Sequence, residues 1–254
     1  MVDPMADPLL VVDRVTRRFG GLLAVNGASL TAQEGQITAL IGPNGAGKTT
    51  LFSIISGFLK PSAGDVRYAG KTITGEPPYR LARWGLARTF QIVQPFSGLT
   101  VRENILVGAH LHHRGRAEAL AAAEEVSHYV GLDGQLDRPA DTLTVAGRKR
   151  LELARALSTE PKLLLLDEVL AGLNPSEIRD IVPVIRGLCG RGITIVMIEH
   201  VMQAVMSLAE QVFVLAEGKV IAEGTPAQVA ADPVVIEAYL GHGAAAKLRA
   251  SHAH

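Results

Sequence analysis

A chain of 254 residues, 48% of them hydrophobic, can bury one sizeable core, enough for a single large α/β domain that carries a subdomain. Its 25 basic and 25 acidic residues cancel, which removes any general pull toward nucleic acid or an anionic membrane. A single cysteine, Cys189, excludes an internal disulfide and suits a reducing compartment.

The stretch Met1 to Pro8 is acidic and broken by proline, unlike a secretory signal. No apolar run approaches the roughly 18 residues needed to cross a bilayer. A cytoplasmic location is expected, with any membrane role arising from docking to other subunits. From about 9 to 36, the runs Leu9–Val12, Val15–Phe19, Leu22–Val25 and Ala28–Thr31 alternate with turns, which predicts an antiparallel N-terminal sheet. Phe19 is the one aromatic there. It reads either as a core residue or as a platform for stacking a nucleobase.

The next segment, Gly42-Pro43-Asn44-Gly45-Ala46-Gly47-Lys48-Thr49-Thr50, has the spacing of a phosphate loop. Ile37–Ile41 before it reads as a short buried strand, and Thr49–Leu59 after it as a helix stopped by Pro61. Glycines let backbone N–H groups turn inward around phosphate oxygens, and the helix adds its positive N-terminal end. Lys48 is placed to reach the β- and γ-phosphates and the Thr49 hydroxyl to ligate Mg²⁺. A nucleoside triphosphate is the expected ligand.

Ser62 to Gly75 predicts a turn and a short strand pair around Val66-Arg67-Tyr68. A long region, roughly 78–160, then shows helical periodicity and little strand character. Its candidate helices are Tyr79–Trp84, Val101–His110, Ala117–Val130 and Arg148–Leu157. The simplest organisation is a helical subdomain, at about 85–160, inserted into a phosphate-loop α/β core. Leu163–Asp167 is an apolar run ending in a carboxylate, as a central parallel strand would be. Ser176–Leu188 reads as a helix with Pro183 inside it, and Gly192–Ile198 as the next buried strand. Val212–Leu215 and Lys219–Ala222 form a predicted hairpin, and the polar tail from Gly241 to His254 is expected to fray.

Ligand sites of parallel sheets lie beyond the carboxyl ends of the strands. Asp167 at such an end can hold Mg²⁺ and the adjacent Glu168 can polarise an attacking water, the alternative being two solvated carboxylates. Glu199-His200 follows the next strand, where His200 can donate to a γ-phosphate or hold the water. Taken alone, a histidine there is more often structural.

These pieces in this order resemble the ATP-binding subunit of an ABC transporter, and the likeness runs from Leu9 to about Gly241. The resemblance implies that Phe19 stacks on adenine, that Gly42 to Thr49 form the Walker A motif, and that Leu163 to Asp167 form Walker B with Glu168 as the catalytic glutamate. It further implies that Gln91, in Arg88-Thr89-Phe90-Gln91, ligates Mg²⁺ and reports to membrane subunits, and that His200 is the switch histidine. Ala171-Gly172-Leu173-Asn174 fall at the D-loop. A finer match to uptake ATPases of the branched-chain amino-acid type rests on Arg88–Gln91, on Ala171–Pro175, and on Ile221–Pro226 with Val235–Gly241. Related importers take other amino acids, urea or small organic acids.

The family's signature loop departs from pattern here. Where Leu-Ser-Gly-Gly-Gln is usual, this chain reads Leu143-Thr144-Val145-Ala146-Gly147 before the Arg-rich helix. Thr144 keeps a hydroxyl for a γ-phosphate, while Val145 and Ala146 add Cβ atoms where backbone approaches phosphate. In the family two such subunits, identical or paralogous, face each other, and each site pairs one chain's Walker motifs with the other's signature. The variant loop therefore leaves two readings open: an asymmetric pair with one slower site, or a fully active subfamily variant. Asn174 stands where aspartate is common and Val169 where proline often follows; neither removes a catalytic group.

The resemblance also implies two transmembrane permease subunits and, through them, a solute-binding protein, with this chain peripheral on the cytoplasmic face of the inner membrane. The segment Gln91 to Asn104, with Pro95-Phe96, is where a short helix of each permease is expected to dock. His110, His112 and His113 read as a solvated helix end rather than a metal site, and Arg148-Lys149-Arg150 as a local basic cluster rather than a nucleic-acid surface. A non-transport nucleotide switch of translation or DNA repair, which typically carries two cassettes or a long coiled coil, is the rival reading. A small-molecule kinase is the second.

Overall fold

The alternating N-terminal stretch folds as two long strands rather than four short ones: β1 (Leu10–Phe19) and β2 (Leu22–Ala32), paired antiparallel. The apparent breaks are register shifts between Val12 and Val15 and between Val15 and Arg18, which absorb extra residues as bulges instead of turns. Arg14 and Gly27, at φ +46° and +64°, supply the local kinks. A computed structural model describes residues 7–92 and 94–240. The acidic residues 1–6 and the tail 241–254 lie outside the described residues.

Strand β3 (Ile37–Ile41), buried along its whole length, leads into helix α1 (Lys48–Ile55). The helix ends at Ser56, short of the expected Leu59, because Gly57 enters the left-handed region at φ +77°. Next come β4 (Ala63–Tyr68), β5 (Lys71–Thr72), α2 (Pro78–Arg83) and β6 (Leu86–Arg88). Strand β6 lies inside the stretch, roughly 78–160, expected to show little strand character. Three residues are too few to show a period, and only its parallel pairing with a later strand reveals it.

The helical insert then holds α3 (Val101–Ala109), α4 (Arg116–Tyr129) and α5 (Val145–Leu157). Thr100 and Glu103 form a capping box on α3, and the Thr144 hydroxyl accepts from Gly147 N to start α5. That cap moves the start of α5 three residues ahead of the expected Arg148. The chain returns to the core through β7 (Leu163–Asp167), α6 (Pro175–Gly190), β8 (Thr194–Ile198), α7 (Met202–Leu208), β9 (Gln211–Ala216), β10 (Lys219–Gly224), α8 (Pro226–Ala231) and α9 (Pro233–Leu240). Helix α6 starts on Asn174, which makes a capping box with Glu177, and runs on through the exposed Pro183, where water can serve the freed carbonyl.

Two sheets result. One is antiparallel, in the order β2-β1-β4-β5; the other runs β10-β9-β3-β8-β7-β6, parallel except for β10. The expected hairpin therefore supplies two of the six strands of the main sheet, β9 lying parallel to β3. Strand β7 shows why a run of leucines was needed: Leu164 and Leu166 join the core on one face of the sheet, Leu163 and Leu165 the core on the other. With β3, β8 and β7 adjacent and parallel, the segments that follow them emerge side by side.

Candidate nucleotide site

The phosphate loop leaves β3 with Gly42 at φ +149° and enters α1 with Gly47 at φ +103°. A Cβ at Gly42 would overlap the Leu215 carbonyl and one at Gly47 the Ala24 carbonyl, so only glycine lets the loop lie this close to β9 and β2. Lys48 is buried, and its Nζ donates to the carbonyls of Gly42 at 2.7 Å and Pro43 at 3.0 Å. Burial pulls its pKa below the ordinary lysine value, while the carboxylates of Glu168 and Asp167 push the other way. Phe19, Asn44 to Thr50 and Glu168 line a cleft of about 540 Å³ over the loop. Phe19 is 44% exposed, with the Arg17 guanidinium 4.6 Å from its ring centroid. Its core reading is thereby removed.

Asp167 ends β7 fully buried. Arg88 Nη2 donates to its Oδ2 at 2.7 Å, and Oδ1 is buried with no partner. Asp167 shares a second cavity, about 510 Å³, with Thr49 and Gln91. A partnerless carboxylate oxygen beside a hydroxyl and an amide carbonyl makes a hard-oxygen donor set that fits Mg²⁺. Thr49 lines both cavities, which joins the cation position to the phosphate loop.

Glu168 occupies the left-handed region at φ +50°, unusual for a residue with a Cβ. Gln91 Nε2 donates to its Oε2 at 2.6 Å, and His200 Nε2 lies 2.7 Å from its Oε1, which requires the proton on Nε2. Sites from three separate strand ends thus converge on one carboxylate. Thr144 is not among them. Its hydroxyl caps α5, and it lines neither cavity.

Three side chains without an assigned role belong to this region. Arg88 also donates through Nη1 to the hydroxyls of Ser53 and Ser56, each at 3.1 Å, tying β6 to α1. Glu199 is buried, and its Oε1 accepts from Leu170 N at 2.9 Å. Burial raises its carboxyl to about 7, against the pull of the Leu170 and His200 amides. Lys149 is buried and donates to backbone carbonyls of Gln91 and Glu168. The sequence signal for it was the run Arg148-Lys149-Arg150, whose members part company: Arg148 reaches the carbonyls of Asp141 and Leu143, and Arg150 that of Val130. Nothing basic and continuous remains of that run.

The helix-end histidines make local contacts, His110 Nδ1 lying 3.1 Å from the His113 carbonyl. His113 Nε2 lies 2.6 Å from Glu160 Oε1, and His112 Nε2 lies 3.2 Å from the Thr159 carbonyl. Among the described residues no group of three or more His, Cys, Asp or Glu side chains could hold a metal ion.

The family model described as ABC transporter matches residues 25–171, the span that holds the phosphate loop, Gln91 and Glu168. The chain belongs to the ABC transporter family. A second model, described as branched-chain amino acid ATP-binding cassette transporter, matches residues 219–245. With ABC membership come nucleotide binding and ATPase activity. The chain is 42% identical to the high-affinity branched-chain amino acid transport ATP-binding protein BraF of Pseudomonas aeruginosa, covering 93% of this chain and 99% of that one. It is 40% identical to LivG, the protein of the same description from Escherichia coli K12, over the same shares. A solved nucleotide-free ABC cassette superposes with a TM-score of 0.85 at 33% identity, covering 93% of this chain and all of that one. An ABC cassette in its ADP conformation gives 0.84 over the same shares, also at 33% identity. No helix among the described residues is long and apolar enough to cross a membrane.

Proposed function

We propose that this chain is the ATP-hydrolysing subunit of an importer for branched-chain or closely related amino acids, working as a peripheral subunit on the cytoplasmic face of the membrane. The observation that carries the hydrolytic part is the carboxylate of Glu168, held at one oxygen by Gln91 and at the other by His200 beside the phosphate loop. The amino-acid part is supported by the C-terminal family match and by the likeness to BraF and LivG over nearly their whole lengths.

In this reading Phe19 stacks on adenine while Gly42, Pro43, Asn44, Gly45, Ala46 and Gly47 turn backbone N–H groups toward the phosphates. Lys48 and Thr50 complete the cradle. Thr49, Asp167 and Gln91 would hold Mg²⁺, which would supply positive charge against the phosphates. Water attacks the γ-phosphorus as Glu168 takes its proton; the bond to the β-bridging oxygen breaks, leaving ADP and phosphate. His200 orients the water or donates to the γ-phosphate. Thr144 serves the site of a second ATP-binding subunit, identical or paralogous, so each nucleotide lies between two chains.

Two permease subunits dock along Gln91 to Asn104, and a solute-binding protein acts through them. Support comes from exposed apolar side chains around this segment: Phe90, Ile92 and Phe96, with Phe58, Tyr79 and Val107 along the adjoining cavity of about 420 Å³. Arg155 stacks 4.4 Å from the Phe96 ring centroid, which keeps that ring at the surface.

A pull-down of Glu168→Gln with ATP and Mg²⁺ from its own host's membranes tests the reading. Recovery of two permeases, a second ATPase and a solute-binding protein is expected, and the binding protein then identifies the solute. Recovery of ribosomes or DNA-repair factors would overturn the transport role and leave the ATPase.

A further inference from the structure

A glutamate in the left-handed region keeps that conformation only where its surroundings over-determine it. Around Glu168 they do. Its N–H donates to the Ile198 carbonyl at 2.9 Å, and its own carbonyl accepts from Ala171 N at 3.2 Å. The same carbonyl accepts from Lys149 Nζ at 2.9 Å, and one residue past Val169 the Leu170 N–H is held by Glu199. Lys149 Nζ also donates to the Gln91 carbonyl at 3.2 Å. One ammonium group thus bridges the backbones of the two residues whose side chains meet at the candidate base.

A lysine is a costly means of filling this space. It is only 6% exposed, and among the described residues its Nζ donates to backbone carbonyls and to no carboxylate. Burial lowers its pKa, and Glu199, Glu168, Glu152 and Asp167 oppose that fall from farther off. A methionine has similar reach and volume without the desolvation. What the ammonium adds is a pair of donors aimed at two carbonyls from separate segments, one after β6 and one after β7.

We propose that Lys149 is a positioning residue for ATP hydrolysis, fixing the backbones of Gln91 and Glu168 to each other so that the amide of one orients the carboxylate of the other. The inference rests on the reading of Glu168 as the base. Lys149 acts through that residue and touches no substrate. Because it sits on α5, it also links the helix that follows the signature loop to the hydrolytic side of the same chain.

The test compares the full-length chain with Lys149→Met, Lys149→Gln, Glu168→Gln and the double variant Lys149→Met/Glu168→Gln. ATP turnover, nucleotide affinity and melting temperature are measured for each. Both Lys149 variants should lose about 10- to 100-fold in kcat, the effect of a small misplacement of a reacting group, with nucleotide affinity within about threefold. In the Glu168→Gln background, Lys149→Met should change the residual rate by no more than about twofold, because two residues acting as a unit are not additive. A general packing role would instead lower affinity and melting temperature and add fully in the double variant, overturning the proposal. Normal kcat in Lys149→Met or Lys149→Gln, with Glu168→Gln inactive, overturns this inference alone. Normal kcat in Glu168→Gln removes the base and the inference together. Should Lys149→Met fail to fold, Lys149→Gln and its double variant carry the same comparison.

Discussion

Gln91 and Glu168 stand 77 residues apart in the chain, yet Gln91 Nε2 donates to Glu168 Oε2 at 2.6 Å. The opposite oxygen faces His200, so neither half of the carboxylate is free to rotate. Glu168→Gln keeps the size and loses the basicity. Hydrolysis should fall by about 10²- to 10⁴-fold, the range for loss of a general base. ATP binding should persist, because Lys48 and the glycines of the loop are untouched. Steady-state turnover and equilibrium nucleotide binding on one preparation decide the matter; substantial turnover would refute the assigned base.

Arg88 and Asp167 form the most buried ion pair among the described residues, with side chains 7% and 1% exposed. Removing one partner of such a pair leaves the other charged and unsolvated. Arg88→Met should therefore destabilise the chain by about 3–5 kcal/mol in urea unfolding. Added Mg²⁺ should recover part of that loss, since a cation on Asp167 replaces the missing charge. A cost below about 1 kcal/mol would mean that Asp167 finds another partner.

Glu199 gives stability a pH dependence whose sign is fixed by burial. Its carboxyl is raised from 4.5 to about 7, so the folded chain holds a proton that the unfolded chain has released. The stability this provides is complete below about pH 4.5 and is lost as pH rises through 7. Lys149 and Glu168, the charged neighbours, act in opposite senses on it. Glu199→Gln stays neutral, and its amide oxygen can still accept from Leu170 N. The variant should escape the decline, gaining up to about 3 kcal/mol over the unmodified chain at alkaline pH. Urea midpoints on either side of neutrality measure it; parallel profiles for the two proteins would exclude the effect.

Val145 and Ala146 occupy the first turn of α5 behind the Thr144 cap, and Val145 is 57% exposed. If their Cβ atoms hold a partner's γ-phosphate away, Val145→Gly with Ala146→Gly should raise ATP turnover of the assembled complex. The cost in helix stability is about 1 kcal/mol per glycine at most, small enough to leave the fold intact. Unchanged or lower turnover would favour a fully active variant loop over an asymmetric pair.

Local pattern determined a good deal of this protein. The phosphate loop is legible because its glycines, lysine and threonine act within nine consecutive residues, Gly42 to Thr50. The buried strands are legible because a sheet covered on both faces demands unbroken apolar runs such as Leu163–Leu166. Phe19, Gln91, Glu168 and His200 are legible through motif order and family likeness; their spacing alone leaves structural alternatives open. Strand β6 is not legible because three residues carry no period, and the N-terminal strands read as shorter pieces because bulges look like turns in a linear sequence. Tertiary structure alone decided the rest. Arg88 meets Asp167 across 79 residues and Lys149 meets Gln91 across 58, and it sent three neighbouring basic side chains to three different destinations. Such partners are chosen by where the parallel strands and α5 come to rest, and a buried charge takes whichever carbonyl or carboxylate that packing brings within reach.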